Sequence, residues 1–170
     1  AQGGDFGTED VEDIMNGAEK KADAVLLSST GSEYMGDAVA SALFGEVSPA
    51  GRLAQGWCVS EDVLPDINDY RIIGKRTYRF TSDGLMYPFG YGLSYGHIGY
   101  SDMKVSINKT SDTITIRLNI ENTGEMVTDE VVQIYAGADF DDEKFTGAGY
   151  GRRLIGFERI KDIKPHEARE

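Results

Sequence analysis

Tyr87-Pro88-Phe89-Gly90-Tyr91-Gly92-Leu93-Ser94-Tyr95 decides how the rest of the chain is read. Aromatic rings alternate there with two glycines. Rings bring large contact area with few rotatable bonds. Glycine lets backbones approach closely. The run reads as a packing element that pins an ordered connector onto neighbouring structure. A platform for stacking a sugar ring is a second reading that the pattern does not require. The run closes a longer stretch, residues 48–100, where regular periodicity fades and Trp57, Tyr70, Tyr78, Phe80 and Tyr100 recur. Different patterns lie on either side of it.

Upstream, Ala1 to Gly7 is glycine-rich, and Thr8 then precedes Glu9 and Asp10, a helix-start signal. Val11, Ile14, Met15, Ala18 and Ala22 share one face at helical spacing, so an amphipathic helix is expected there. Ala24-Val25-Leu26-Leu27 is a continuous apolar run that predicts a strand buried on both faces. A second helix is expected from about Ser32 to Phe44, with Met35, Val39 and Leu43 in register and Gly45 as its left-handed cap. Helix, strand and helix make a fragment of an α/β layer, for which further strands are expected upstream.

Downstream the period changes to two. Val105 and Ile107, then Ile114, Ile116, Leu118 and Ile120, alternate with polar residues. Asn122-Thr123-Gly124-Glu125 signals a turn. Val131, Val132, Ile134 and Tyr135 follow, and later Leu154, Ile155 and Phe157. Short alternating strands separated by turns predict a β-sandwich, and a complete one would need another strand or two.

Composition narrows the chemistry. The chain has 170 residues, 40% hydrophobic and 27% charged, which suits a packed core. A net charge of −12 repels phosphate backbones and argues against nucleic-acid binding. No apolar run approaches the ~20 residues that span a bilayer, so no membrane partner is expected. Cytoplasmic and secreted locations both stay open. One cysteine, Cys58, builds no disulfide framework, and His97 and His166 lie in no recognisable zinc or nucleophile pattern. No cofactor is expected. Asp139, Asp141, Asp142 and Glu143 cluster without the spacing of a calcium loop and read as a solvated loop. Asn108-Lys109-Thr110 is a formal glycosylation sequon.

Several motifs in order carry a family resemblance. Gly36-Asp37-Ala38-Val39-Ala40-Ser41-Ala42-Leu43-Phe44-Gly45-Glu46, Ser48-Pro49-Ala50-Gly51-Arg52-Leu53, Lys75-Arg76-Thr77-Tyr78-Arg79-Phe80 and Tyr87 to Tyr95 resemble the late part of the α/β sandwich domain of glycoside hydrolase family 3. Asn122-Thr123-Gly124, Asp129-Glu130-Val131-Val132-Gln133-Ile134-Tyr135 and Leu154-Ile155-Gly156-Phe157-Glu158-Arg159 resemble the fibronectin type III-like domain that often follows it. In Ser48 to Leu53, Pro49 fixes φ and Gly51 is free to take a positive one, so a sharp turn is expected. The resemblance implies an α/β fragment with its connector over residues 1–100 and a fibronectin type III-like β-sandwich over residues 101–170. It also implies a β-glucosidase or β-xylosidase lineage and a carbohydrate substrate in a complete enzyme.

Retaining glycoside hydrolysis needs two carboxyl groups about 5 Å apart. In family 3 the nucleophile is an aspartate on a preceding barrel, and a barrel takes about 250 residues. This chain therefore carries no nucleophile, no substrate-binding set and no metal site that the resemblance assigns. The family's acid/base glutamate lies on a loop of the α/β domain. Lys20 to Leu27 resembles the approach to that loop, which places Glu33 as the one candidate catalytic acid. An alternative alignment makes Glu33 an ordinary helix-start glutamate. The expected role of the chain is support of catalytic domains. The alternative is a stand-alone carbohydrate-binding or protein-interaction module.

Overall fold

The computed structural model describes residues 24–28, 31, 33–72, 76–80, 84–137 and 152–170. The expected helix after Thr8, Lys75 and the acidic cluster at 139–143 lie outside the described residues. The described chain is mostly β-sheet, with one short α-helix, α1, at Met35–Leu43. Strands follow at β1 (Trp57–Cys58), β2 (Leu85–Tyr87), β3 (Ile98–Asn108), β4 (Thr113–Asn122), β5 (Thr128–Ala136), β6 (Arg153–Ile163) and β7 (Ala168–Arg169). A 3-10 turn at Glu61–Val63 separates β1 from β2. The strands form three antiparallel or paired sets, β1-β2, β3-β4-β7 and β5-β6.

Helix α1 ends as its sequence predicts. The Glu46 N–H reaches the Ser41 carbonyl at 2.8 Å, and the Gly45 N–H reaches Ala42 at 3.1 Å. Gly45 has φ +75°, a left-handed geometry in which a Cβ would be strained. The expected apolar face is only partly used. Met35 and Val39 are half-buried and Ala42 is buried, whereas Leu43 faces solvent. Gly51 takes no positive φ, so the turn after α1 is made without it.

Ala24 to Leu27 departs from expectation. These residues form no strand, and Val25, Leu26 and Leu27 are exposed. No strand among the described residues pairs with them.

Two compact units divide the chain. One contains residues 1–39, 52–91 and 133–157; the other contains residues 40–51, 92–132 and 158–170. The second unit holds the buried apolar core: Ile120, Val132 and Ile163, with Ile98, Leu118 and Ile160 packed against them. The period-two pattern explains this. In β4, the even-numbered apolar residues share one face, and that face becomes progressively more buried toward Ile120. The hairpin from β3 to β4 pairs in regular register from Lys104↔Arg117 to Asn108↔Thr113, and again from Ile98↔Asn122 to Ser101↔Asn119. Between these stretches β3 carries a bulge, with Asp102 at φ +52°.

Candidate functional site

In the first unit, the connector aromatics pack on one another. The rings of Tyr78 and Phe89 stack with centroids 4.1 Å apart and planes 15° from parallel. Tyr135 meets Tyr78 edge-on at 6.4 Å, and the Arg152 guanidinium lies 5.9 Å from the Tyr135 ring. Burial is the largest influence on the Tyr135 hydroxyl and raises its pKa, with Tyr78 adding to the rise and the Arg152 charge opposing it. The Leu154 N–H donates to the Tyr78 hydroxyl at 3.1 Å. Tyr87 and Tyr91 pair at 5.0 Å in a tilted arrangement.

Backbone bonds join two of the sequence motifs. The Leu53 N–H donates to Tyr91 O, and the Gly90 N–H donates to Leu53 O, both at 2.8 Å. Gly90 has φ +80°, and its carbonyl accepts the Gln133 side-chain amide at 3.0 Å. The Tyr135 hydroxyl in turn donates to Gln133 Oε1. A Cβ at position 90 would lie 2.1 Å from Gln133 Oε1 and 2.7 Å from the Tyr135 hydroxyl. Gly90→Ala should therefore destabilise the protein by about 1–2 kcal/mol, through the positive φ and displacement of Gln133. A urea titration measures this, and parental stability would refute it.

Among the described residues, the same unit holds one buried side-chain group without a hydrogen-bond partner. Arg79 Nε is buried without a hydrogen-bond partner, while its guanidinium carbon lies 5.3 Å from the Phe80 ring. The ring face offers partial compensation for the lost solvation. Thr77, just before this pair, has φ +67°, which is strained for a β-branched residue. Its hydroxyl accepts the Arg79 N–H at 3.3 Å.

In the second unit, Ser48 joins three segments. Its hydroxyl accepts the Tyr95 N–H at 3.0 Å and the Thr128 hydroxyl at 2.9 Å. The Tyr95 hydroxyl donates to the Ala42 carbonyl at 3.0 Å, capping the end of α1. Asp129 accepts Arg159 Nε at 2.8 Å and the Asp162 N–H at 2.9 Å. Burial is the largest single influence on Asp129 and pushes its pKa up. The Asp162 N–H, the Arg159 bond and charge, and the Lys161 charge outweigh it, and the net shift is downward. The bond from Arg169 leads the influences that hold Glu167 down at about 2, followed by the Lys164 N–H.

These contacts fasten segments together; none assembles reacting groups. Glu33, the one catalytic candidate, lies exposed in the turn before α1. A catalytic acid normally works within a walled site that excludes water. Cys58 is half-buried and free. Among the described residues, no three His, Cys, Asp or Glu side chains converge as metal ligands. No helix among them is long and apolar enough to cross a membrane. The sequence reading of Asn122 as a turn residue missed its buried role, and the Ser48–Thr128 and Asp129–Arg159 pairs were also unforeseen. The pairs span 80 and 30 positions, so local patterns carry little sign of them.

Comparison with known proteins follows the same motifs. The family described as "Glycosyl hydrolase family 3 C-terminal domain" matches residues 9–95. A Formosa agariphila protein is 37% identical over 159 residues, covering 92% of this chain and 20% of its own length. A beta-xylosidase of the same organism is 34% identical over 140 residues, covering 79% of this chain and 19% of its own. Thermostable beta-glucosidase B of Acetivibrio thermocellus is 32% identical over 154 residues, covering 82% and 20%. Among solved structures, beta-glucosidase 3B of Thermotoga neapolitana in complex with glucose superposes with TM-score 0.67 at 29% identity, covering 81% of this chain and 20% of that one. The chain spans about a fifth of the length of these curated relatives.

Proposed function

Because the chain belongs to glycoside hydrolase family 3, through a match to that family's C-terminal domain, we propose that it is the C-terminal portion of a β-glucosidase- or β-xylosidase-like enzyme. Its role is to support catalytic domains that carry the nucleophile. The observation that carries this reading is the packing of the connector. Tyr78, Phe89, Gly90, Gln133 and Tyr135 are committed to one another within the first unit, which suits a brace better than an open site.

We read residues 1–100 as the end of the α/β sandwich domain with its connector, and residues 101–170 as a fibronectin type III-like sandwich. The paired strands and the Ile120–Val132–Ile163 core support the second assignment. A carbohydrate would be a partner only within the complete enzyme. A separate carbohydrate-binding role draws support from Tyr70 and Tyr91, whose rings are exposed in the first unit. Titration with oligosaccharides, followed by Trp57 fluorescence, separates the readings: a brace gives no response.

Two measurements test the main reading. The isolated chain should not hydrolyse aryl β-glycosides, and turnover that persists through rigorous purification would overturn the proposal. Glu33 has no catalytic part in it. In the complete enzyme, Glu33→Gln should leave kcat/KM within about twofold, whereas loss of a general acid costs about 100-fold or more.

A further inference from the structure

We propose that Asn108 is an acceptor for an N-linked oligosaccharide, transferred from a lipid pyrophosphate carrier wherever the chain meets a membrane-bound oligosaccharyltransferase. The inference does not rest on the glycosidase reading. It rests on the hydrogen bonds of one side chain and on the face of the hairpin that carries it.

Asn108-Lys109-Thr110 is the one Asn-x-Ser/Thr sequence in the chain. The structure places it where β3 turns into β4. Asn108 ends β3 and pairs with Thr113, the first residue of β4. Asn108 Oδ1 accepts the Thr110 N–H at 3.0 Å and the Ser111 N–H at 3.3 Å. These bonds close an Asx turn. Oδ1 and Nδ2 lie on opposite sides of the carboxamide. Holding Oδ1 over the turn therefore aims Nδ2 away from it, and transfer uses that nitrogen.

The hairpin gives a glycan room. The ladder runs in regular register from Lys104↔Arg117 to Asn108↔Thr113. Side chains alternate across a strand, so Ser106, Thr113 and Thr115 share the Asn108 face with Lys104 and Arg117. All of them are exposed, as is Asn108 itself. Hydroxyls and charges make this the wetted face of the hairpin, and the apolar Val105, Ile107 and Ile114 lie on the other. An N-linked glycan is bulky and strongly hydrated and needs such a surface position. Its first sugars would meet hydroxyl groups and water.

The step balances without a redox partner. Nδ2 attacks C1 of the carrier-linked sugar, and the new N–C1 bond replaces the C1–O bond to pyrophosphate. The lipid pyrophosphate leaves with that electron pair. Nδ2 gives up one proton to a base of the transferase.

The test expresses the whole chain behind a secretion signal in a eukaryotic host and reads total cell extract by gel mobility. A single shift that peptide-N-glycosidase removes is expected. Asn108→Gln should abolish it. Thr110→Ala should also abolish it, although it keeps the Asn108 carboxamide and the Thr110 N–H that bonds it. Thr110→Ser should retain the shift. The glycosylated chain should unfold at no lower urea concentration than the same chain made in a host without the transferase. No shift in the parent chain, or a shift that survives Asn108→Gln, overturns the proposal. A glycosylated chain that unfolds at clearly lower urea overturns it too, because the hairpin face would then not accommodate the sugar.

Discussion

Replacing Asn122 by alanine is expected to lower the free energy of unfolding by about 3 kcal/mol, because one buried side chain serves three backbone groups. Its Nδ2 donates to Met126 O at 2.8 Å and Ile163 O at 2.9 Å, and its Oδ1 accepts the Gly124 N–H at 3.0 Å. The residue is 0% exposed, so water cannot readily take over these bonds. Asn122→Asp sharpens the test. It keeps the acceptor for Gly124 but turns acceptor oxygen toward two carbonyls. At neutral pH it should destabilise at least as much as alanine, with part of the loss recovered when acid returns a donor. Urea denaturation followed by circular dichroism measures both. Parental stability for the alanine variant would show that the turn between β4 and β5 holds without this side chain.

Ile163→Ala should cost a similar amount, about 3 kcal/mol, by a different route. Ile163 is 0% exposed and packs with Ile120 and Val132. Truncation removes apolar contacts and leaves a cavity that the strands cannot fully close. Ile163→Val deletes a single methylene and should cost about 1 kcal/mol. Near-equal losses for the two variants would mean that strain, rather than lost packing, governs the site. Ile163 lends its carbonyl to Asn122, so the Asn122 and Ile163 substitutions should not be additive.

The sequence disclosed most where structure follows from local pattern. Alternation marked Val105 and Ile107 in β3 and Ile114 to Ile120 in β4, because a strand sends successive side chains to opposite faces. The same rule found β5 and β6. Gly45 was legible as a helix cap because few other residues tolerate its φ. Ala24 to Leu27 misled because apolarity alone does not supply a neighbouring strand. Leu43 misled because helical spacing identifies a face but not what covers it. The bulge at Ser101–Lys104 was invisible, since it interrupts the ladder without interrupting the apolar pattern. The site was legible mainly as a lineage. Glu33 stood out by its place relative to the family motifs, and the structure leaves it exposed. Asn122 looked like a turn residue but ends β4, where its side chain holds the turn that follows and reaches Ile163, 41 positions away.

The bulge in β3 bears on aggregation. A sheet can grow by adding strands only along a straight edge with regularly spaced donors and acceptors. β3 breaks that spacing at Ser101–Lys104, and a lysine follows directly. Among the described residues β3 is the outer strand of its sheet, so a strand laid along it would lose its ladder at that break and meet the lysine there. The bulge guards this edge against the strand addition that builds fibres.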